Sequence, residues 1–320
     1  TDIDDTLADA HSLLDRLEKE CGTTEHLRSM LQLMEDTIKL IEVRAASNKN
    51  GVTGLPTGFT DLDRLTCGWQ AGDMIVIAAR PAVGKTAFAL HLARTAASAG
   101  YHIAVYSLEM QGERLGDRWL LAATTGVNPD HLLSGQLTPS ELRQIHEAST
   151  ELSHLPIHID DNPSVSMDYI RSSAKLLQSK GKCDGVIIDY LQLMTSAGGK
   201  GYAGENRQQV VSDISRMLKI MAKELNVPVI CLSQLSRASE KRDDKRPMLS
   251  DLRESGAIEQ DADIVLFLYR DDYYNEDSEK HNIAECIVAK NRHGETGKVE
   301  LRWMPEYTQF STLDTRYDED

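Results

Sequence analysis

Apolar residues recur at Ile3, Leu7, Ala10, Leu14 and Leu17, and again at Leu27, Leu31, Met34, Ile38 and Ile41. Alternating steps of four and three draw a stripe down one face of an α-helix, so a pair of short helices is expected at the front of the chain. Gly22 is expected to stop the first and Thr24 to cap the second. Such a hairpin either packs on its own domain's core or docks on another subunit. Ser47-Asn48-Lys49-Asn50-Gly51 reads as a polar linker and Gly54-Leu55-Pro56-Thr57-Gly58 as a turn. This places a boundary between a helical segment, 1–50, and a larger domain, 51–320.

From Phe59 onward short β-branched runs alternate with helical stretches, the pattern of an α/β domain with a mostly parallel central sheet flanked by helices. The runs are Met74–Ala79, Ile103–Leu108, Ile157–Ile159, Val186–Ile188, Val229–Leu232, Ile264–Leu268 and Cys286–Ala289. Lys298–Trp303 alternates and is expected at an edge. Polar residues follow these runs: a Gly-Lys-Thr loop, Glu109, Asp189, Gln234, Arg270, and Lys290 with Arg292. Open α/β sheets bind ligands beyond the carboxyl ends of their strands, so all of these are expected on one rim.

Composition narrows the class. With 320 residues and 41% apolar content, the chain can bury a large core, which excludes disorder as its main state. No apolar run approaches the ~18 residues that span a bilayer, and the acidic start is unlike a signal peptide. The opening Thr1 is expected to mark a processed or excised piece. Cys21, Cys67, Cys183, Cys231 and Cys286 are scattered without a C-x-x-C pair, which argues against zinc and disulfides and for a reducing cytoplasm. The net charge of −15 is concentrated in 1–46, 271–285 and 314–320, which carry −6, −5 and −3. The remainder is nearly neutral, so a local basic groove for a polyanion is not excluded. The run Lys241-Arg242-Asp243-Asp244-Lys245-Arg246 has mixed signs and reads as a solvated loop.

Arg80-Pro81-Ala82-Val83-Gly84-Lys85-Thr86 follows a strand and precedes a helical stretch, the context of a P-loop. Amides at the helix start, from Ala82 to Ala87, point at phosphate, Lys85 reaches the outer oxygens, and the Thr86 hydroxyl can hold Mg²⁺. Ala79 stands where the general motif has glycine, which requires a negative φ there. Asp189 ends Gly185-Val186-Ile187-Ile188-Asp189 as a Walker B carboxylate would. Glu109 can orient and deprotonate a water, and Gln234 can donate to a γ-phosphate.

Jointly these residues resemble the ATPase domain of DnaB-type replicative helicases, a hexameric RecA-like family. The matching stretches are Thr53–Asp63, Ala78–Ala89, Ser107–Met110, Asp189–Met194, Ser233–Arg237, Asp251–Asp263 and Ala289–Arg292, and they lie across about five-sixths of the chain. The resemblance implies a RecA-like P-loop domain using ATP and Mg²⁺, with Ala usual at the position of Ala79. It implies Glu109 as catalytic base, Lys85 and Thr86 on phosphate and magnesium, Asp189 as magnesium carboxylate and Gln234 as γ-phosphate sensor. Lys290 and Arg292 are implied as cations inserted into the neighbouring subunit's site.

The resemblance also implies single-stranded DNA contact through Arg253, Glu254 and Gly256, with Lys200 in the Gly/Ser-rich stretch 196–204 as a second contact. Neither segment holds a row of aromatics, so little sequence preference is expected. A homo-hexamer moving 5′→3′, with a primase and a loader as partners in a bacterial or phage-infected cell, completes the expectation. The family carries a further N-terminal domain, which 1–46 is too short to contain. A strand-exchange ATPase forming filaments, and an ATP-dependent switch that does not translocate, are the alternative functions.

Overall fold

The computed structural model describes residues 28–47, 51–124, 126–189, 207–236, 239–240, 242–275 and 277–313. The chain divides into two compact units, Thr1–Lys49 and Asn50–Asp320. In the first, the described element is helix α1, Met30–Ser47. It begins at Met30 and not directly after Thr24, because Ser29 caps it. The Gln32 amide donates to Ser29 Oγ (3.3 Å) and the Ser29 amide donates to the Gln32 side chain (3.1 Å), a reciprocal capping box. Met34, Ile38 and Ile41 of its stripe are exposed. The expected first helix, with Gly22 and Thr24, lies outside the described residues.

The second unit runs α2 Thr60–Thr66, β1 Met74–Ala79, α3 Lys85–Ser98, β2 Ile103–Ser107, α4 Gly112–Ala123, α5 Pro129–Ser134, α6 Pro139–Ser153 and β3 Ile157–Asp160. It continues with α7 Met167–Ser179, β4 Gly185–Asp189, α8 Arg207–Leu225, β5 Val229–Gln234, a 3₁₀ helix Leu249–Ser255, α9 Gly256–Asp261, β6 Ile264–Arg270, β7 Ile283–Asn291, β8 Gly297–Met304 and β9 Gln309–Thr312. The strands form one sheet in the order β3-β2-β4-β5-β1-β6-β7-β8-β9. Pairings from β3 through β6 are parallel, and those from β6 to β9 are antiparallel. Every residue of β1, β2 and β4 is buried, which is why these strands read as unbroken apolar runs. One core layer joins the sheet to α3 through Phe88, Leu92 and Ala93, and the other joins it to α7 and α8 through Ile170, Leu218 and Met221.

Three expectations are corrected. On that side of the sheet the edge strand is β9, not Lys298–Trp303. The alternation there reflects one-sided burial of Val299, Leu301 and Trp303, and β8 pairs on both sides. Lys290 and Arg292 do not share the rim of the P-loop. Because β7 runs antiparallel, Lys290 pairs with Val265 and Asn291 with Ile264, while Ile264 pairs with Ile75 at the amino end of β1. Finally, the mixed-charge run is a loop with Asp243 and Asp244 exposed, but its arginines are not simply solvated. Arg242 donates twice to buried Asp251 (2.8 and 2.7 Å), and Arg246 donates twice to buried Glu285 (2.7 and 2.9 Å). A buried carboxylate without a cation would be prohibitively desolvated, so the sequence supplies one to each.

Burial alone would push the Glu285 carboxyl up, but Arg246 and Lys298 outweigh it and hold the group at about 2, against an ordinary 4.5. A depressed folded-state value stabilises the fold above the unfolded value and loses that contribution as pH falls through the folded one. Thermal melts followed by circular dichroism are expected to lose roughly 2–3 kcal/mol from this group between about pH 5 and pH 2. In Glu285→Gln the melting temperature starts lower at neutral pH and changes less across that window.

Candidate nucleotide site

β1 delivers the phosphate-binding loop. Ala79 is the last residue of that strand and is not among the residues of positive φ, so alanine costs nothing there. The tight turn instead falls at Ala82 (φ 63°) and Gly84 (φ 115°). A Cβ on Gly84 would stand 2.8 Å from the Phe310 ring and 3.0 Å from Trp303, so glycine is required both by φ and by the β8–β9 hairpin packed over it. α3 begins at Lys85, immediately after Gly84, and its first amides face the loop.

Register aligns the other groups. Ala79 pairs with Gln234 and Ser107 with Asp189, which fixes the carboxyl ends of β1, β5, β2 and β4 on one rim. The Leu108 amide donates to the Asp189 carbonyl (2.7 Å), so the turn bearing Glu109 is tied to the end of β4. Arg80 donates to the Leu235 carbonyl (2.7 Å) and pairs with Glu240 (2.7 Å), tying the loop to the segment beyond β5. The resulting pocket is lined by Ala82, Gly84, Lys85, Thr86, Glu109, Arg118 and Gln234, with Trp303 and Thr308 from the β8–β9 hairpin.

From the pocket lining, Thr86 Oγ1 donates to Oδ2 of buried Asp189 at 2.6 Å. Asp189 is only 3% exposed, and its Oδ1 is buried with no hydrogen-bond partner. Burial raises the Asp189 pKa, opposed by Lys85, Thr86 and Arg118. Burial lowers that of Lys85, opposed by Asp189 and Glu109. A hydroxyl and an acid with one orphaned oxygen, beside a lysine at a helix start, match the oxygen ligands that Mg²⁺ takes and the donors that a polyphosphate takes.

Arg118 is a pocket residue that the sequence reading missed. It projects from α4, which is anchored on α3 by buried Leu115 and Trp119, with Trp119 Nε1 donating to the Leu90 carbonyl (3.1 Å). Burial lowers the pKa of its guanidinium, and Asp189 and Glu109 oppose that shift. A single arginine on an amphipathic helix carries no motif; only the pairing of helix and sheet aims it.

Lys290 and Arg292 sit on the other rim. Lys290 Nζ donates to the carbonyls of Glu259 (2.6 Å), Gln260 (3.3 Å) and Ala262 (2.6 Å), capping the C-terminus of α9. Arg292 donates to the Gln260 carbonyl (2.7 Å) and lies 3.4 Å from Asp263 Oδ1. The backbone of Arg253 and Glu254 lies in the 3₁₀ helix and Gly256 opens α9. Lys200 lies outside the described residues.

The profile of the DnaB-like helicase C-terminal domain matches residues 54–312. The chain is similar to the replicative DNA helicase DnaB of Geobacillus stearothermophilus, with 48% identity over 94% of this chain and 65% of the relative. It is similar to the replicative DNA helicase DnaC of Bacillus subtilis, with 44% identity over 99% of this chain and 69% of the relative. It thus spans about two-thirds of the length of these relatives. A solved ATPase domain superposes with a TM-score of 0.82 at 42% identity, over 88% of this chain and 99% of that one. A solved DnaB-like replicative helicase, described with its interactions with primase, superposes with a TM-score of 0.80 at 38% identity, over 97% of this chain and 76% of that one. A matched profile across the whole sheet and its P-loop places this chain in the family of DnaB-like helicase C-terminal domains.

Proposed function

We propose that this chain is the motor part of a replicative DNA helicase, an ATP-hydrolysing hexameric ring that moves 5′→3′ along a threaded single strand and unwinds duplex DNA at the fork. The observation that carries the reading is the division of labour between rims. Lys85, Thr86, Glu109, Arg118, Asp189 and Gln234 meet at one end of β1. Arg292 lies toward the other, about 17 Å away along a six-residue strand, with Lys290 two residues nearer. A pocket built this way is completed by cations from a neighbouring protomer.

In the proposed reaction, amides of Ala82 to Ala87 and the Lys85 ammonium hold the ATP phosphates. Thr86 and Asp189 are the residues that would hold Mg²⁺, which when bound neutralises charge on the outer phosphates. Glu109 orients a water and accepts its proton as the water oxygen bonds to the γ-phosphorus and ADP departs. Gln234 and Arg118 donate to the γ-phosphate and so register its loss. Lys290 and Arg292 of the adjoining subunit stabilise the spreading charge in the transition state. Arg253, Glu254 and Gly256, with Lys200, contact the DNA backbone.

The domain division is 1–50 and 51–320, and the exposed stripe of α1 is read as docking on an adjacent subunit. Primase and a helicase loader are the protein partners, in keeping with the solved relative described with primase. The site of action is the cytoplasm of a bacterium or a phage-infected bacterium; no described helix is long and apolar enough to cross a membrane.

Electron microscopy with a non-hydrolysable ATP analogue and single-stranded DNA tests the reading. Closed six-membered rings with DNA in the hole are expected. Filaments would favour a strand-exchange ATPase, and monomers indifferent to DNA would favour a switch; either overturns the helicase.

A further inference from the structure

We propose that Asp263 is the positioning residue of Arg292, setting its guanidinium for the neighbouring protomer's pocket; this rests on reading Arg292 as a cation that acts between subunits. Asp263 precedes β6 and its side chain is 3% exposed. Its Oδ2 accepts from the Met74 amide (2.8 Å) and from Lys219 Nζ. Its own amide donates to the Met74 carbonyl (2.9 Å), and its carbonyl accepts from the Arg292 amide (3.0 Å). Oδ1 is left facing the Arg292 guanidinium at 3.4 Å, while Arg292 also donates to the Gln260 carbonyl at 2.7 Å. Backbone and side chain of one buried aspartate therefore both hold Arg292, and both are riveted to the first residue of the strand whose far end carries the P-loop.

Charge explains why this arrangement orients Arg292 without quenching it. Lys219, fixed by the Gly72 carbonyl (3.0 Å), already neutralises the Asp263 carboxylate. Arg292 therefore sits at longer range, and its side chain stays 47% exposed. Nη1 is turned to Asp263 and Nη2 to Gln260, and the half-exposed side chain keeps further guanidinium N–H groups for phosphate oxygens. Asp73 and His293 stand beside this pair, with His293 Nε2 3.2 Å from Asp73 Oδ1. Asp73, Asp263 and His293 also have metal-ligand spacing, with ligand atoms mutually within 4.8 Å. The ammonium of Lys219 already supplies the cation there, so the cluster is read as a support for Arg292.

A misplaced transition-state group costs about 10²-fold when shifted by an ångström. Asp263→Asn is therefore expected to lower kcat for ATP in assembled rings by about 10- to 100-fold, with KM for ATP near wild type because the pocket is on the opposite rim. The decisive readout is subunit mixing with Glu109→Gln. In mixed rings an intact pocket of the Asp263→Asn subunit meets an intact Arg292 of its Glu109→Gln neighbour, so activity should rise well above either variant alone. The parallel mixture of Arg292→Ala with Glu109→Gln separates the two levels. If that control is restored and the Asp263→Asn mixture is not, Asp263 acts on its own pocket or fold and the proposal is overturned. If the control itself fails, the reading of Arg292 as an intersubunit cation falls. Asp263→Glu, which keeps the charge opposite Lys219 but moves the carboxylate, serves as second variant. Wild-type kcat in both, or loss of ring assembly in both, overturns the proposal.

Discussion

Replacing Lys290 and Arg292 together by alanine is expected to lower ATP turnover in assembled rings by roughly 10³–10⁵-fold, or about 4–7 kcal/mol of barrier. Affinity for ATP in the same variant should change little. The expectation follows from where β7 ends. Neither cation lines its own pocket, and each is instead satisfied by carbonyls at the end of α9. Their loss thus removes an interaction made in the transition state by a neighbour and leaves the phosphate loop intact. Phosphate release under steady state, paired with fluorescent-nucleotide binding, measures the two quantities separately. Because Lys290 also caps α9, Arg292→Ala alone is the cleaner variant, and a melting curve of each identifies any stability component. Turnover within threefold of wild type in the double variant would remove these residues from the reaction.

Glu109→Gln has the second largest expected effect, a fall in hydrolysis of about 10²–10⁴-fold with ATP still bound. The side chain keeps its size but can no longer accept the proton of the attacking water. It also takes one negative charge away from Lys85 and Arg118, both of which it faces. Nucleotide affinity should accordingly be equal to or tighter than wild type, since Asp189 is then the one carboxylate left beside both cations to compete with phosphate. A quenched-flow single turnover at wild-type rate would exclude Glu109 as the base.

Much of this was legible in the residues. The P-loop declares itself because strand, Gly-Lys-Thr and helix occur in sequence, and the buried parallel strands do because both faces are apolar. Direction of pairing is not written in a strand of nine residues such as β7. Ile283–Asn291 reads the same whether it enters the sheet parallel or antiparallel, and that choice moved Lys290 and Arg292 to the opposite rim. Arg118 and Asp263 were invisible for a related reason: each gains meaning from a partner far along the chain, Asp189 for one and Lys219 and Met74 for the other. Arg242 and Arg246 read as solvated because charges close in sequence dominate a linear pattern, whereas their partners are the buried carboxylates Asp251 and Glu285.

The reversal at β7 also restricts how copies of this chain can associate. On the proposed reading a protomer has a nucleotide-receiving end and a cation-giving end and is polar, so productive contacts are head to tail and therefore heterologous. A two-fold dimer would set like end against like end and leave both pockets without their cations. Successive head-to-tail contacts either close on themselves or run on as an open helix, and only closure leaves no receiving end unfilled.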